Sequence, residues 1–336
     1  MYWSDLYCIR CGRRADESWR QDACPGCAEE GVYANYSAKV DLAGLNRNEI
    51  PCDDSQEGIW KYRALYAVDK ATPPVSLQEG GTPTVRVDRL GSLLGLGEFH
   101  LKDETRNPTW SHKDRLTTVG ITKALEVGAR CVIASSTGNQ GISAAAYAAR
   151  AGIPCVLLTG TTSPESVKTF MRSCGAMVFE MDSSKERITL VESCVREFGF
   201  FPLTGFGKSG KKGANPYAID GYKSLAIEIL TQLGKVPDYI VFPVAGGDSL
   251  VGTWKGFVEL RELGCVDRLP RMVAAEAIGS LESALAEKLA VPKKMAPRDT
   301  VAFAVGSPEG TYQALKAIRD SSGDAISLED EEIMAA

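Results

Sequence analysis

Histidine is almost absent from this chain: of 336 residues, only His100 and His112 carry an imidazole. That scarcity excludes an H-E-x-x-H metal site, and any Ser-His-Asp or Cys-His apparatus would have to use one of the two. His100 falls in an alternating, strand-like run and reads as structural. Also missing is any stretch with the roughly 20 apolar residues that a membrane span needs. Met1–Asp5 has no signal-peptide core. Nor is there an excess of positive charge. The formal net charge of −5 gives no electrostatic ground for a nucleic-acid or membrane partner. The expectation is a cytoplasmic protein that acts on a small molecule and draws its reactivity from another proton carrier or a cofactor.

What is present is ordinary for a globular chain, with 44% hydrophobic and 24% charged residues. The length suggests two compact domains or one large α/β unit. The ten cysteines divide unevenly. Cys52, Cys131, Cys155, Cys174, Cys194 and Cys265 are scattered and read as small buried hydrophobes. Cys8, Cys11, Cys24 and Cys27 form two C-x-x-C pairs, and two such turns can complete a tetrahedral zinc site. Four thiolates leave no open position for chemistry, so the expected zinc is structural. It would explain how so short a segment folds.

From about Phe99 onward, strands and helices alternate. The pattern predicts strands at Arg130–Ser135, Pro154–Thr159, Ala176–Met181, Tyr239–Val244 and Arg271–Glu276. It predicts helices at Gly141–Ala151, Ser163–Ser173, Lys185–Phe198, Tyr217–Leu233 and Leu250–Leu263. This alternation argues for parallel sheets in an α/β fold.

Three stretches at element boundaries carry chemistry. In Asn107-Pro108-Thr109-Trp110-Ser111-His112-Lys113-Asp114-Arg115, a lysine opens a helix. Backbone dipoles and burial there lower its pKa, and a neutral amine can attack an aldehyde. In Ser135-Ser136-Thr137-Gly138-Asn139-Gln140-Gly141, hydroxyls, an amide and free N–H groups gather at the carboxyl end of a strand, where open α/β sheets bind small ligands. In Val244-Ala245-Gly246-Gly247-Asp248-Ser249, glycines before a helix let the backbone close around a phosphate.

With these residues in view, the chain resembles a fold-type II enzyme dependent on pyridoxal 5′-phosphate (PLP), and within that group the threonine synthase family. Ser76–Pro83 resembles S-L-G-E-G-N-T-P, Lys102–Arg115 resembles K-D-E-x-x-N-P-T-G-S-F-K-D-R, and Ser136–Gly152 resembles S-T-G-N-T-S-A-S-A-A-A-Y-A-A-R-A-G. Asn215-Pro216-Tyr217 and Gly221-Tyr222-Lys223 fit N-P-Y…G-Y-K, and Pro243–Phe257 resembles P-V-G-N-G-G-N-x-x-G-x-W-K-G-F. The cysteine-rich start is similar to the zinc-ribbon-like leader of many members.

The resemblance implies two three-layer α/β/α domains behind an N-terminal zinc-ribbon-like segment. The segment would span residues 1–35, the large PLP-binding domain 36–105 plus 216–336, and the small domain 106–215. It implies a homodimer that converts O-phosphohomoserine and water to threonine and phosphate. Lys113 would be the catalytic Schiff-base lysine, and Asn139 would bond the cofactor's phenolic oxygen. Val244, Ala245, Gly246, Gly247, Asp248 and Ser249 would cup its phosphate. Ser136, Thr137 and Gln140 would face the substrate carboxylate, and Lys102 and Arg115 would meet substrate phosphate or carboxylate.

The chain departs from the family pattern around the substrate. Trp110 and His112 replace Gly and Phe, Leu116 replaces Gly, Gln140-Gly141 replaces Thr-Ser and Gly81 replaces Asn. Asp248-Ser249 replaces the usual amide and puts negative charge close to a phosphate. The family's residue for the pyridine nitrogen lies in an E-P-[ST]-[SG]-A run, which no residue of this chain matches. Two further readings accompany the first: a β-replacement or β-elimination enzyme on a phosphoserine- or serine-like substrate, similar to cysteate synthase, and a non-catalytic zinc-ribbon scaffold.

Overall fold

The computed structural model describes residues 6–15, 23–206 and 213–336. The reading of Met1–Asp5 and parts of the 1–35 and 106–215 segments therefore lie outside the described residues. At the start of the chain, β1 (Leu6–Cys8), the short helix α1 (Pro25–Glu29) and β2 (Tyr36–Ala38) form a small unit in which β1 and β2 pair antiparallel. Next come β3 (Thr84–Arg86), α2 (Asp88–Leu93) and β4 (His100–Lys102), with β3 and β4 antiparallel.

The alternation then begins: α3 (Lys113–Glu126), β5 (Val132–Ser135), α4 (Asn139–Ala151), β6 (Cys155–Thr159), α5 (Glu165–Ser173), β7 (Met177–Glu180), α6 (Ser184–Phe198) and β8 (Phe201–Pro202). The four strands form a parallel sheet in the order β7-β6-β5-β8. Period-two alternation sends Val132, Ala134 and Leu157 to one face against α3 and α4, and Ile133, Val156 and Leu158 to the other against Val191 and Val195 of α6. Near-continuous apolar runs suit strands covered on both faces.

A 3-10 turn, Ala218–Tyr222, leads into α7 (Lys223–Leu233), so the stretch Tyr217–Leu233 is a tight turn followed by a helix rather than one continuous helix. There follow β9 (Tyr239–Pro243), α8 (Asp248–Glu262), β10 (Arg271–Glu276), α9 (Ser280–Ala286), α10 (Tyr312–Asp320), β11 (Asp324–Ser327) and α11 (Asp330–Ala335). A second parallel sheet runs β11-β10-β9. Met272 and Ala274 of β10 pack with Leu250 of α8, Leu281 of α9 and Ala314 of α10. The strand expectations stand within two residues at their ends, the usual scatter of element boundaries. Of the six scattered cysteines, Cys131 and Cys155 are buried and Cys174, Cys194 and Cys265 half-buried, but Cys52 is exposed, its thiol 3.5 Å from Asp54 in a polar loop.

Two buried charge networks join the parts. Arg115 is fully buried and binds Glu104 and Glu228 in forked pairs at 2.7–2.8 Å, with Ser224 at 2.8 Å and Thr82 at 2.9 Å. Lys102 reaches Glu228 at 2.8 Å and the Thr82 carbonyl at 2.5 Å. Where α7 meets α8, Lys223 pairs with Asp220 at 3.0 Å and Glu259 at 2.7 Å, and Lys255 with Asp220 at 2.6 Å. Lys255 also donates to the carbonyl of Ala38 on β2. Between α3 and the 218–222 turn the backbones touch: a Cβ built on Gly221 would lie 1.8 Å from the Arg115 carbonyl oxygen. No side chain fits there, which accounts for the glycine.

Candidate active site

Three helix N-termini supply the site. Lys113 opens α3, Asn139 opens α4 and Asp248 opens α8. Each follows a loop that leaves the carboxyl end of a strand or an Asn-Pro turn, and each leaves early amides without helical acceptors. Among the described residues, the amides of Thr137, Asn139 and Gln140 find no acceptor, nor do those of residues 245–250. The N-cap of α8 is Gly247, at φ 85, and a Cβ there would meet the Ala314 Cβ at 2.6 Å. Such a backbone suits glycine, and the unused amides that follow it can accept an anion.

Lys113 is half-buried, and burial lowers its pKa while the charge of Asp248 partly restores it. Its amine therefore moves toward the neutral, nucleophilic form. His112 beside it is pushed down to about 3, first by burial and then by the charges of Lys113 and Arg115, so its imidazole is neutral at pH 7. Its ring lies 5.6 Å from that of Tyr222. Tyr222 is fully buried, and its hydroxyl has no hydrogen-bond partner in the described structure. An orphaned buried hydroxyl costs about 1–3 kcal/mol. Among the described residues the Lys113 amine, the Tyr222 phenol and these amides have no hydrogen-bond partner, and such groups suit an anionic, polar ligand with a carbonyl group, of which PLP is one.

Below Lys113, Asp114 is fully buried and accepts from the Thr109 amide at 2.7 Å, the Thr109 hydroxyl at 2.6 Å and Ser143 of α4 at 2.6 Å. It pins the loop 107–112 and locks α3 to α4. Gln140 adds a long bond of 3.4 Å to Thr117. Trp110 sits at φ 57 where the resembling family has Gly, stacks edge-on to Phe170 at 5.9 Å and is 67% exposed.

The structure brings Lys113, Asn139, Ser136, Thr137, Gln140 and the 244–249 loop to these strand and helix ends. Ser136 is spent locally, accepting from the Gly138 amide at 3.3 Å and the Gly141 amide at 2.9 Å. Lys102 and Arg115 are placed otherwise than expected for substrate ligands. Both are committed to carboxylates, and Arg115 has no exposed surface. The sequence reading missed Glu104, Glu228 and Tyr222 as well as Gln313, whose amide donates to Asp248 at 2.8 Å. The K-D-E run and the G-Y-K run contain two of these four, and Glu228 and Gln313 stand in helices with no local signal. The expected zinc ligands do converge: the four sulfurs of Cys8, Cys11, Cys24 and Cys27 lie within 4.8 Å of one another. The Arg10 amide donates to Cys8 Sγ at 3.4 Å.

A lysine held toward its neutral form, near a glycine-capped helix start with unused amides, suits the binding of a phosphorylated aldehyde. Residues 75–336 match the pyridoxal-phosphate dependent enzyme family, and the chain belongs to it. It is 36% identical to a threonine synthase of Methanosarcina acetivorans over 98% of this chain and 80% of the relative. It is 34% identical to a threonine synthase of Methanocaldococcus jannaschii with the same coverage, and 36% identical to one of Mycobacterium tuberculosis over 82% of this chain and 74% of the relative. Among solved structures, maize serine racemase superposes with a TM-score of 0.63 at 20% identity, covering 76% of this chain and 73% of that one. The processed form of threonine deaminase isoform 2 from Solanum lycopersicum also gives 0.63 at 20% identity, covering 76% of this chain and 67% of that one. These neighbours share the fold-type II α/β architecture.

Proposed function

We propose that this chain is a PLP-dependent threonine synthase, converting O-phosphohomoserine and water to threonine and phosphate. The observation that carries the reading is a Lys113 amine at the start of α3 with no partner among the described residues, together with two helix N-termini whose amides are unused. The threonine synthases among its relatives supply the reaction.

In this reading the amides of the 245–249 loop hold the cofactor phosphate and Lys113 holds its aldehyde carbon. Asn139 offers its side-chain amide to the ring's phenolic oxygen. Bound there, the cofactor supplies an electron sink for charge released at the substrate's α-carbon. The Lys113 amine takes the α-proton, a task that burial favours by keeping it neutral. The amides of Thr137, Asn139 and Gln140, at the positive end of α4, receive the substrate carboxylate. The neutral His112–Tyr222 pair lines the site with two uncharged hydrogen-bonding groups. Lys102 and Arg115 act at one remove, fixing the loop at Thr82 and the start of α3.

The four N-terminal cysteines hold a structural zinc ion away from the reaction. The large domain comprises 36–105 plus 216–336, the small one 106–215, and the working unit is a cytoplasmic homodimer. The substitutions at Trp110, His112 and Gln140 support a second reading, β-replacement or β-elimination on a phosphoserine-like substrate. The test is to supply the PLP-loaded protein with O-phosphohomoserine, O-phosphoserine, serine and threonine, and to follow phosphate and amino-acid products. Threonine with equimolar phosphate from O-phosphohomoserine is the expected result. Phosphate released from O-phosphoserine alone moves the assignment to the second reading.

A further inference from the structure

The phosphate cup of this chain contains an acid. Asp248 is the first residue of α8, directly after Gly247, and it sits among the unused amides of residues 245–250. Its Oδ1 is tied down, accepting from the Ala214 amide at 3.2 Å and Gln313 Nε2 at 2.8 Å. Its Oδ2 makes no hydrogen bond among the described residues and lies 4.0 Å from the place a Cβ on Gly246 would take, over the backbone of the cup. Swinging the carboxylate out would break both bonds at Oδ1. A phosphate received by these amides lies close to a carboxylate whose Oδ2 is uncommitted among the described residues, and two anions at close range repel.

Among the described residues, the groups that face Asp248 do not remove the conflict. From α3 it faces Lys113, which the cofactor aldehyde claims. From the 218–222 turn it faces the neutral phenol of Tyr222, and from α10 it faces Gln313 and Thr311, whose hydroxyl is spent on the Gly246 carbonyl at 2.7 Å. The cations of α7 and α8, Lys223 and Lys255, are paired with Asp220 and Glu259. On β10, Glu276 caps α9 through the Leu281 and Glu282 amides. A proton between the two oxygens does remove the conflict.

We propose that Asp248 shares a proton with the cofactor phosphate, so that the protein takes up a proton from solvent as the phosphate enters the cup. This rests on reading the 245–249 loop as the phosphate cup. The step balances simply: the carboxylate, one solvent proton and the phosphate dianion become a carboxyl group donating its O–H to a phosphate oxygen. Burial already raises the carboxyl's pKa, against the pull of Lys113, the Ala214 amide and Gln313, which prepares it to accept the proton. The consequence is cofactor affinity that falls as pH rises.

The probe is pyridoxine 5′-phosphate, which carries the phosphate but no aldehyde and so leaves Lys113 unmodified. Its dissociation constant is measured by fluorescence from pH 6.5 to 8.5, and proton uptake by calorimetry in two buffers of different ionisation heat. The unmodified protein should lose affinity about tenfold per pH unit above the carboxyl's titration and take up about one proton per molecule bound, as proton linkage requires. Asp248→Asn keeps an acceptor for Ala214 and Gln313 and adds an N–H for the phosphate. It should bind with little pH dependence, more tightly than the unmodified protein at pH 8.5. Equal slope and uptake in both proteins would assign the proton to Lys113 and overturn the proposal. So would a flat profile in the unmodified protein. If Asp248→Asn does not fold, Asp248→Ser serves the same comparison. Binding no better than that of pyridoxine without its phosphate would reject the cup reading itself, and the proposal with it.

Discussion

Replacing Glu228 with Gln removes one charge from a buried group of four and leaves Arg115 and Lys102 facing Glu104 alone. Glu228 accepts from Arg115 at 2.7 and 2.8 Å, from Lys102 at 2.8 Å and from the Gly81 amide at 2.9 Å. Burial pushes its carboxyl up, but Arg115 and then Lys102 outweigh that and bring it from 4.5 to about 2. A shift of that size is worth about 3 kcal/mol, at 1.36 per pH unit. Removing one partner of a buried pair costs about 3–5 kcal/mol, so the two routes agree. Because the folded-state pKa lies below the ordinary one, this stability is fully present above about pH 4.5 and disappears as pH falls toward 2. At pH 7, urea titration of Glu228→Gln should show a midpoint lower by about 1 M, taking a slope near 3 kcal/mol/M. The substrate KM of the folded fraction should be unchanged. A loss under about 1 kcal/mol accompanied by a large rise in KM would refute the structural assignment and return Lys102 and Arg115 to the substrate.

Lys113→Ala should abolish the violet-edge absorbance and borohydride-reducible attachment of PLP while the phosphate still binds; a retained covalent adduct would place the attachment elsewhere. Elemental analysis of protein purified without chelator should find one zinc per chain, lost on Cys24→Ser, and turnover should continue after zinc removal wherever the fold persists. Gly247→Val places a branched side chain where a Cβ meets Ala314 at 2.6 Å, on backbone at φ 85. Loss of about two charge-assisted hydrogen bonds, roughly 1.5–3 kcal/mol each, should weaken pyridoxine 5′-phosphate binding at least a hundredfold, and equal affinity in a folded variant would remove this loop from the cofactor site.

Much of this was legible in the chain because the features are local. Strand β5 and helix α4 show their apolar periods, and the lysine, the amide-rich loop and the Gly-Gly turn stand at element boundaries that a periodicity reading finds. The N-terminal cysteines are spaced for one centre. What was not legible depends on partners far apart in sequence. Arg115 looks like a free cation near Lys113 until Glu228, 113 residues away, is seen to neutralise it. Tyr222 reads as one more core aromatic, and only its packing on His112 and a hydroxyl with no partner among the described residues mark it out. The break in Tyr217–Leu233 was hidden for the same reason: in that turn the backbone of α3 lies against Gly221, a contact between residues far apart in sequence that a helical period does not show.

That contact at Gly221 also decides where the site can yield. The α3 backbone rests directly on the turn that starts α7, and two residues past Lys113 the side chain of Arg115 grips Glu228 inside α7. Lys113, Tyr222 and the 245–249 loop at the head of α8 thus rest on one closely packed platform. The opposite wall, α4 with Asn139, is joined to α3 near the site through Asp114–Ser143 and the long Gln140–Thr117 bond. The Asp114–Ser143 seam is a short buried bond, so α4 is carried along with α3, and Lys113 and Asn139 keep their register with the loop at the head of α8.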